Sequence, residues 1–192
     1  FAALMKFTKI NPTHISSFES IVGKEFIFFD KDSLDTYSSD ETEDLKFLPE
    51  VVVKPDSPEQ VAQIMNLCNR EKIPVTPRGA GTGLSGGALP VFGGVILSTE
   101  RLNRILEIDE NNLMATVECG VITGYLQNQV ESKGLFYPPD PSSLKISTLG
   151  GNAATCAGGP RAVKYGVTKD YVMGLEVVLP NGEVLKTGGK LT

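Results

Sequence analysis

Apolar positions along this chain come as short runs between prolines and glycines, with helical stripes between the runs. Val51-Val52-Val53 lies between prolines and predicts a short buried strand. Ser57-Pro58-Glu59-Gln60 then has the form of a helix start: a capping hydroxyl, proline at the first helical position, and glutamine three residues after the cap. Val61, Ile64, Met65 and Cys68 follow at i, i+3, i+4 and i+7, the stripe of a helix packed on a sheet. Residues 73–76 predict the next strand, which completes a β-α-β unit.

Upstream, Thr13 is the expected cap of a helix carrying Ile15, Phe18 and Val22 on one side and stopping at Gly23. Residues 26–29 predict a short strand, and the polar Tyr37-Ser38-Ser39-Asp40-Glu41 predicts a loop. Downstream, residues 77–94 form a long loop leading into a strand at 95–98. Strands at 105–108 and 114–117 flank Asn111-Asn112 as a hairpin. Thr123 opens a helix through Lys133, with Tyr125, Leu126, Gln129 and Val130 as its face and Gly134 as its stop. Strands at 175–179 and 183–185 flank Asn181-Gly182, a strong hairpin turn signal. A β-α-β lobe followed by a hairpin-rich lobe is an α+β arrangement. The expected division is a preface at 1–48, a first lobe at 49–104 and a second, incomplete lobe at 105–192.

Composition narrows the chemistry. The formal net charge is −5 without a basic block, which disfavours a nucleic-acid partner. No apolar run approaches the roughly 18 residues of a membrane span. No charged-then-apolar leader opens the chain either, so a cytoplasmic protein is expected, with Met5 as a candidate native start. His14 is the sole histidine, which argues against a Ser-His-Asp triad or a multi-histidine metal centre within the chain. Cys68, Cys119 and Cys156 are odd in number and widely spaced, so buried thiols are expected rather than disulfides or zinc ligands.

Glycine is the unusual residue, and it is clustered. Seven of the 20 glycines fall within residues 79–94. In Pro77-Arg78-Gly79-Ala80-Gly81-Thr82-Gly83-Leu84-Ser85-Gly86-Gly87, the triplet Gly81, Gly83 and Gly86 satisfies the spacing of the dinucleotide fingerprint. That fingerprint requires a helix to begin at the glycines. Here more glycines and Pro90 follow, so no helix is expected. A phosphate-binding Walker loop fails as well, because Gly87 stands where lysine is needed. The remaining reading is a tight loop whose N–H groups converge on an anion, with Thr82 and Ser85 adding hydroxyls and Arg78 a charge.

The second cluster is Ser147-Thr148-Leu149-Gly150-Gly151-Asn152-Ala153-Ala154-Thr155-Cys156-Ala157-Gly158-Gly159, preceded by the stiff Tyr137-Pro138-Pro139-Asp140-Pro141. A flat ligand can lie against such a run. The same run can equally be a small-residue helix packed closely on a neighbour.

The two segments, in this order and about sixty residues apart in the chain, resemble the FAD-binding domain of the vanillyl-alcohol oxidase and p-cresol methylhydroxylase superfamily. Within it the likeness is to the branch of the glycolate oxidase flavin subunit, D-lactate dehydrogenase and D-2-hydroxyglutarate dehydrogenase. It rests on Pro77-Arg78-Gly79-Ala80-Gly81-Thr82-Gly83, Pro138-Pro139-Asp140-Pro141, Gly150-Gly151-Asn152, Ala157-Gly158-Gly159 and Lys164-Tyr165-Gly166. Tyr37-Ser38-Ser39-Asp40 and Gly174-Leu175-Glu176-Val177-Val178 are similar too.

The resemblance implies a two-lobed α+β FAD-binding domain, with residues 49–104 and 105–192 as its lobes and the cofactor between them. It implies that the loop Arg78, Gly79, Ala80, Gly81, Thr82 and Gly83 wraps the pyrophosphate, with Pro77, Ser85 and Gly86 as further cofactor-binding residues. Pro139, Asp140, Thr148, Gly150, Gly151, Asn152 and Thr155 would lie along the flavin and ribityl chain, with Gly158, Gly159 and Tyr165 supporting that side. Some relatives attach the flavin through a histidine in the first loop; this loop has none, so FAD held noncovalently is expected.

The implied chemistry is oxidation of a small 2-hydroxy acid, with electrons passing to an acceptor and partner subunits possible in the full-length protein. A truncation before the substrate domain is expected, so no catalytic residue is nominated and the fragment alone is expected to be inactive. Arg161, Lys164 and Lys169 are either an attraction for an anionic substrate or a solvated basic patch. The alternatives are a flavoenzyme similar to UDP-N-acetylenolpyruvoylglucosamine reductase and a noncatalytic FAD-binding or assembly subunit.

Overall fold

Two separate apolar clusters form two lobes in the computed structural model, which describes residues 6–189. Met5 and the last residues to Thr192 lie outside the described part. The first lobe is a four-stranded sheet in the order β1-β2-β4-β3, built from β1 (Ile27–Phe28), β2 (Val51–Val53), β3 (Val75–Arg78) and β4 (Val95–Ser98). Strands β2, β4 and β3 run parallel, and β1 pairs antiparallel with β2 through Ile27 opposite Val53. All three residues of β2 are fully buried, as expected for a strand covered on both faces.

Helix α1 (Pro12–Val22) and helix α3 (Pro58–Glu71) pack together on the sheet, where Phe18, Val22, Ile64, Leu67 and Cys68 join the core. Burial pushes the Cys68 thiol up to about 12. The expectation of three buried thiols holds for Cys68 alone: Cys119 is exposed and Cys156 half-buried.

The α1 cap is Asn11 rather than Thr13. Pro12 takes the first helical position, where its missing N–H costs nothing, which moves the cap back by one residue. Asn11 Oδ1 accepts the His14 N–H at 3.1 Å and His14 Nδ1 accepts the Asn11 N–H at 3.3 Å, so the sole histidine serves as part of a cap. Ser57 caps α3 as expected, but the Gln60 side chain reaches the N–H of Asp56 rather than that of the cap residue. A short helix α2 (Lys31–Thr36), capped by Asp30, was not expected. Residues 6–28 are integral to the first lobe: Glu50, just before β2, accepts from Lys9 Nζ, the Ile10 N–H and the Gly94 N–H.

The connection from β3 to β4 decides where the site lies. Because the two strands are parallel, the chain must return from the end of β3 to the start of β4. Such crossovers usually run through a helix. Here residues 79–94 make the return as irregular backbone, which leaves the glycine loop at the carboxyl edge of the sheet.

The second lobe holds the hairpin β5 (Ile105–Asp109) with β6 (Met114–Val117), then helix α4 (Thr123–Glu131), helix α5 (Leu149–Thr155) and the single turn α6 (Ala162–Tyr165). The hairpin β7 (Gly174–Val178) with β8 (Val184–Gly188) follows, and its turn at Asn181-Gly182 packs on α3 of the first lobe. The face of α4 is Thr123, Leu126, Gln127 and Val130; Tyr125, expected inside, is half exposed. Gln127 turns inward because its Nε2 donates to the carbonyls of Tyr137 at 3.1 Å and Pro139 at 2.8 Å, backbone that prolines leave short of partners. The small-residue run is a helix, capped by Thr148, whose Oγ1 accepts the Gly151 N–H.

Candidate functional site

The carboxyl ends of β2, β4 and β3 deliver Lys54, Ser98 with Glu100, and Arg78 to one edge of the sheet. Ligands of parallel sheets bind at this edge. Glu100 is the hub: it accepts from Tyr37 OH at 2.5 Å, Lys54 Nζ at 2.6 Å and Ser98 Oγ at 3.0 Å. Burial works against its charge, but the hydrogen bonds from Lys54 and Tyr37 outweigh burial and hold its carboxyl below the ordinary range. Burial pushes the Tyr37 phenol up, and its bond to Glu100 adds to the effect.

A carboxylate whose native pKa is depressed adds stability above its unfolded value, and that stability is lost as pH falls through the native value. Glu100→Gln is therefore expected to lower stability at neutral pH and to lower it progressively less under acid. Urea unfolding at a series of pH values tests this; a penalty that stays constant into acid would refute the charge-based account.

Arg78 is buried beneath the glycine loop, 8% exposed, and its Nη1 has no hydrogen-bond partner. Its guanidinium stands 5.6 Å from the Tyr37 ring centroid. Burial lowers the Arg78 pKa, with Asp40, Tyr37 and Glu100 acting in the opposite direction. Gly81 turns above it at φ +70°, and a Cβ there would overlap Arg78 Nη2. Around Gly83 and Gly87, by contrast, no atom lies within 4 Å of the place a Cβ would occupy. Among the described residues no hydrogen bond takes up the N–H groups of residues 80–85, which leaves these backbone donors without a protein acceptor beside a buried cation.

The second glycine segment reaches this loop through Thr148. A Cβ on Gly79 would overlap Thr148 Oγ1, so the loop and the start of α5 touch where the lobes meet. Gly150 is pressed against Cys119, and its N–H donates to the Cys119 carbonyl at 2.7 Å. Asn152 points inward, 3% exposed, and its Nδ2 donates to Thr123 Oγ1 at 2.7 Å in a buried knot with Ser147. Thr155 donates to the Gly151 carbonyl within α5. Asp140 accepts the Arg161 N–H at 3.0 Å and pairs with its side chain at 3.4 Å, while Gly159 packs on the Asp140 carbonyl. Tyr165 accepts from Lys164 Nζ at 2.9 Å and meets Phe136 edge-on.

The structure thus brings Arg78, Gly79, Ala80, Gly81, Thr82, Gly83 and Thr148 together. Pro77 lies in β3 opposite Leu97, and Ser85 and Gly86 lie farther along the loop. Asp140, Gly158, Gly159 and Tyr165 form a second group beyond Pro139. Arg161 and Lys164, two of the three cations of the basic patch, are partnered within the chain. Tyr37, Lys54, Ser98 and Glu100 were missed as site-edge residues; the available signal was that each stands at or just past the end of a parallel strand or in the Tyr37-Ser38-Ser39-Asp40 motif.

This arrangement defines a class. The family model described as FAD binding domain matches residues 49–188, and the chain belongs to that family. It is 54% identical over 155 residues to glycolate oxidase subunit GlcD of Bacillus subtilis, covering 81% of this chain and 33% of that protein. It is 44% identical over 187 residues to a D-lactate dehydrogenase of Anaerostipes hadrus, covering 97% of this chain and 39% of that protein. The chain therefore spans between a third and two fifths of the length of these relatives. Among solved structures, p-cresol methylhydroxylase with substrate bound superposes with a TM-score of 0.79 at 29% identity, over 92% of this chain and 35% of the other. Alkyldihydroxyacetonephosphate synthase superposes with a TM-score of 0.85 at 26% identity, over 95% and 39%. The two-lobed α+β FAD-binding fold of the p-cresol methylhydroxylase type is thus the fold of this chain.

The residues fit FAD, the cofactor that the family implies. A pyrophosphate needs N–H donors and compensating positive charge, and donors without protein acceptors at residues 80–85 beside the unpartnered Arg78 Nη1 are compatible with that need. The open space at Gly83 and Gly87 is of the kind a side chain would fill. Among the described residues no helix is long and apolar enough to cross a membrane, and no cluster of candidate metal ligands occurs.

Proposed function

We propose that this chain is the FAD-binding part of a flavin-dependent oxidoreductase that converts a small 2-hydroxy acid to the 2-oxo acid. The observation that carries the reading is the glycine loop at the end of β3, with donors that lack protein acceptors beside a buried arginine. The identity to the glycolate oxidase subunit and the D-lactate dehydrogenase supports the substrate class. When bound, FAD would supply the two-electron acceptor for a hydride from the substrate α-carbon, with the hydroxyl proton passing to a base.

The chain's own residues bind and orient. Arg78 and the N–H groups of residues 80–85 hold the pyrophosphate. Thr148 with Gly150 and Gly151, and Pro139 with Asp140, flank the flavin side, where the Asp140–Arg161 pair stiffens the wall. Asn152 acts from below by fixing α5 to Thr123. The cofactor is held noncovalently, since the loop offers no histidine. The base and the substrate carboxylate clamp belong to parts of the full-length protein beyond this chain.

The test is an FAD titration of the purified chain and of the full-length protein followed by visible absorbance, then acid precipitation. Saturable uptake by the full-length protein, with all flavin released into the supernatant, is expected. Weak uptake at best is expected of this chain by itself; absence of uptake by both this chain and the full-length protein would remove the cofactor reading, and flavin retained in the pellet would remove the noncovalent one. A 2-hydroxy acid that bleaches the flavin in the full-length protein would establish the substrate class.

A further inference from the structure

The Tyr37-Ser38-Ser39-Asp40 segment supplies none of the residues assigned to the cofactor, yet it stands directly against the glycine loop. Ser38 is fully buried; its Oγ donates to the Asp35 carbonyl at 2.6 Å, and its own carbonyl accepts the Phe47 N–H at 2.8 Å, closing residues 38–47 into a loop. Inside that loop Asp40 Oδ1 accepts the Thr42 N–H at 2.9 Å. Thr42 Oγ1 in turn accepts the Gly86 N–H at 2.7 Å, a bond that spans 44 residues. At the other end, Tyr37 is anchored on Glu100 and its ring flanks Arg78. Asp40 Oδ2 is buried without a partner, as is Arg78 Nη1, and Asp40 is the largest of the charges that favour the arginine's cationic form.

Resting on the FAD reading, we infer that residues 37–47 are a latch that sets the shape of the glycine loop before the cofactor arrives, with Thr42 as its positioning residue. Thr42 holds the loop at Gly86, and the Tyr37 ring flanks Arg78 where the loop begins. Between these two fixed points the N–H groups of residues 80–85 keep their direction without a ligand. An irregular loop rich in glycine would otherwise lose much conformational freedom on binding. The latch shifts that loss from binding to folding.

The experiment compares the unaltered chain with Thr42→Val, which keeps the shape but removes the acceptor, and with Thr42→Ser, which restores the hydroxyl. Amide hydrogen exchange at Gly86 is measured without flavin, and FAD affinity is measured by titration. In Thr42→Val, Gly86 should exchange about tenfold faster and the FAD dissociation constant should rise about fivefold; Thr42→Ser should return both toward the unaltered values. Equal Gly86 exchange in all three proteins would overturn the latch. Faster exchange with unchanged FAD affinity would also overturn it, reducing the contact to a structural one. Because this chain by itself is expected to take up FAD weakly at best, FAD affinity is read in the full-length protein, where failure of the unaltered protein to take up FAD would overturn the cofactor reading and the latch's purpose together. That failure is distinguishable, because the exchange data need no flavin.

Discussion

Gly83→Ala should leave the thermal midpoint of the chain within about 2 °C of its unaltered value and raise the FAD dissociation constant by at least roughly tenfold. The two halves of this expectation have separate causes. No atom lies within 4 Å of the place where the new Cβ would stand, and Gly83 is not among the glycines at positive φ, so the fold has nothing to resist. The same empty space lies within the loop whose N–H donors the FAD reading assigns to the pyrophosphate. On that reading a methyl group placed there crowds the pyrophosphate, and phosphate binding through backbone N–H groups depends on close approach. Gly81→Ala is the contrasting case. There φ is +70° and the Cβ would displace the Arg78 guanidinium, so stability and affinity should fall together. Calorimetry with flavin titration of both variants checks the pair. If Gly83→Ala bound FAD as tightly as the unaltered chain, the space beside Gly83 would not belong to the cofactor.

The largest stability effect is expected at Phe18. Its side chain is fully buried between α1 and the sheet, in contact with the cluster that contains Val51, Ile64 and Leu97. Phe18→Ala should cost about 3–5 kcal/mol, the range for removing a large aromatic side chain from a packed core. Urea unfolding measures this directly through the midpoint at constant slope. A loss below about 1 kcal/mol would mean that residues 6–28 dock loosely on the first lobe rather than form part of its core. Because Phe18 belongs to the first core cluster and none of residues 79–87 does, any chain still folded should retain its FAD affinity, which separates this effect from that of Gly83→Ala.

The local readings that succeeded are those in which one short-range force dominates. The stripe of Val61, Ile64, Met65 and Cys68 marks α3 because helical geometry alone puts those positions on one face. Asn181-Gly182 marks the β7–β8 turn because Gly182 takes φ +85°, a conformation that few residues other than glycine adopt. The glycine loop reads as non-helical for the same kind of reason. The readings that failed are those in which two local choices compete. Asn11 and Thr13 both suit a cap, and Pro12 between them decides for Asn11. Tyr125 and Gln127 both lie near the α4 face, and the distant Tyr137 and Pro139 carbonyls decide for Gln127. Within the run at 147–159, the cap at Thr148 and the buried Leu149 and Asn152 make Leu149–Thr155 a helix, a local structure that either reading of the run, ligand-bearing or packed, allows.

By itself the sequence determined the α+β class, the two lobes, the positions of most strands, and the two glycine segments with their flavin-type resemblance. Those properties depend on residue type and spacing within short windows, where the chain's own stereochemistry sets the outcome. Tertiary structure decided that β4 enters between β2 and β3, that residues 6–28 complete the first core, and that Tyr37, Lys54, Ser98 and Glu100 meet at the edge of the sheet. It also decided that Thr42 reaches Gly86 across 44 residues and that Gly79 meets Thr148. Contacts of that kind arise from how buried surfaces align when the lobes pack, and no short window of residues carries that information.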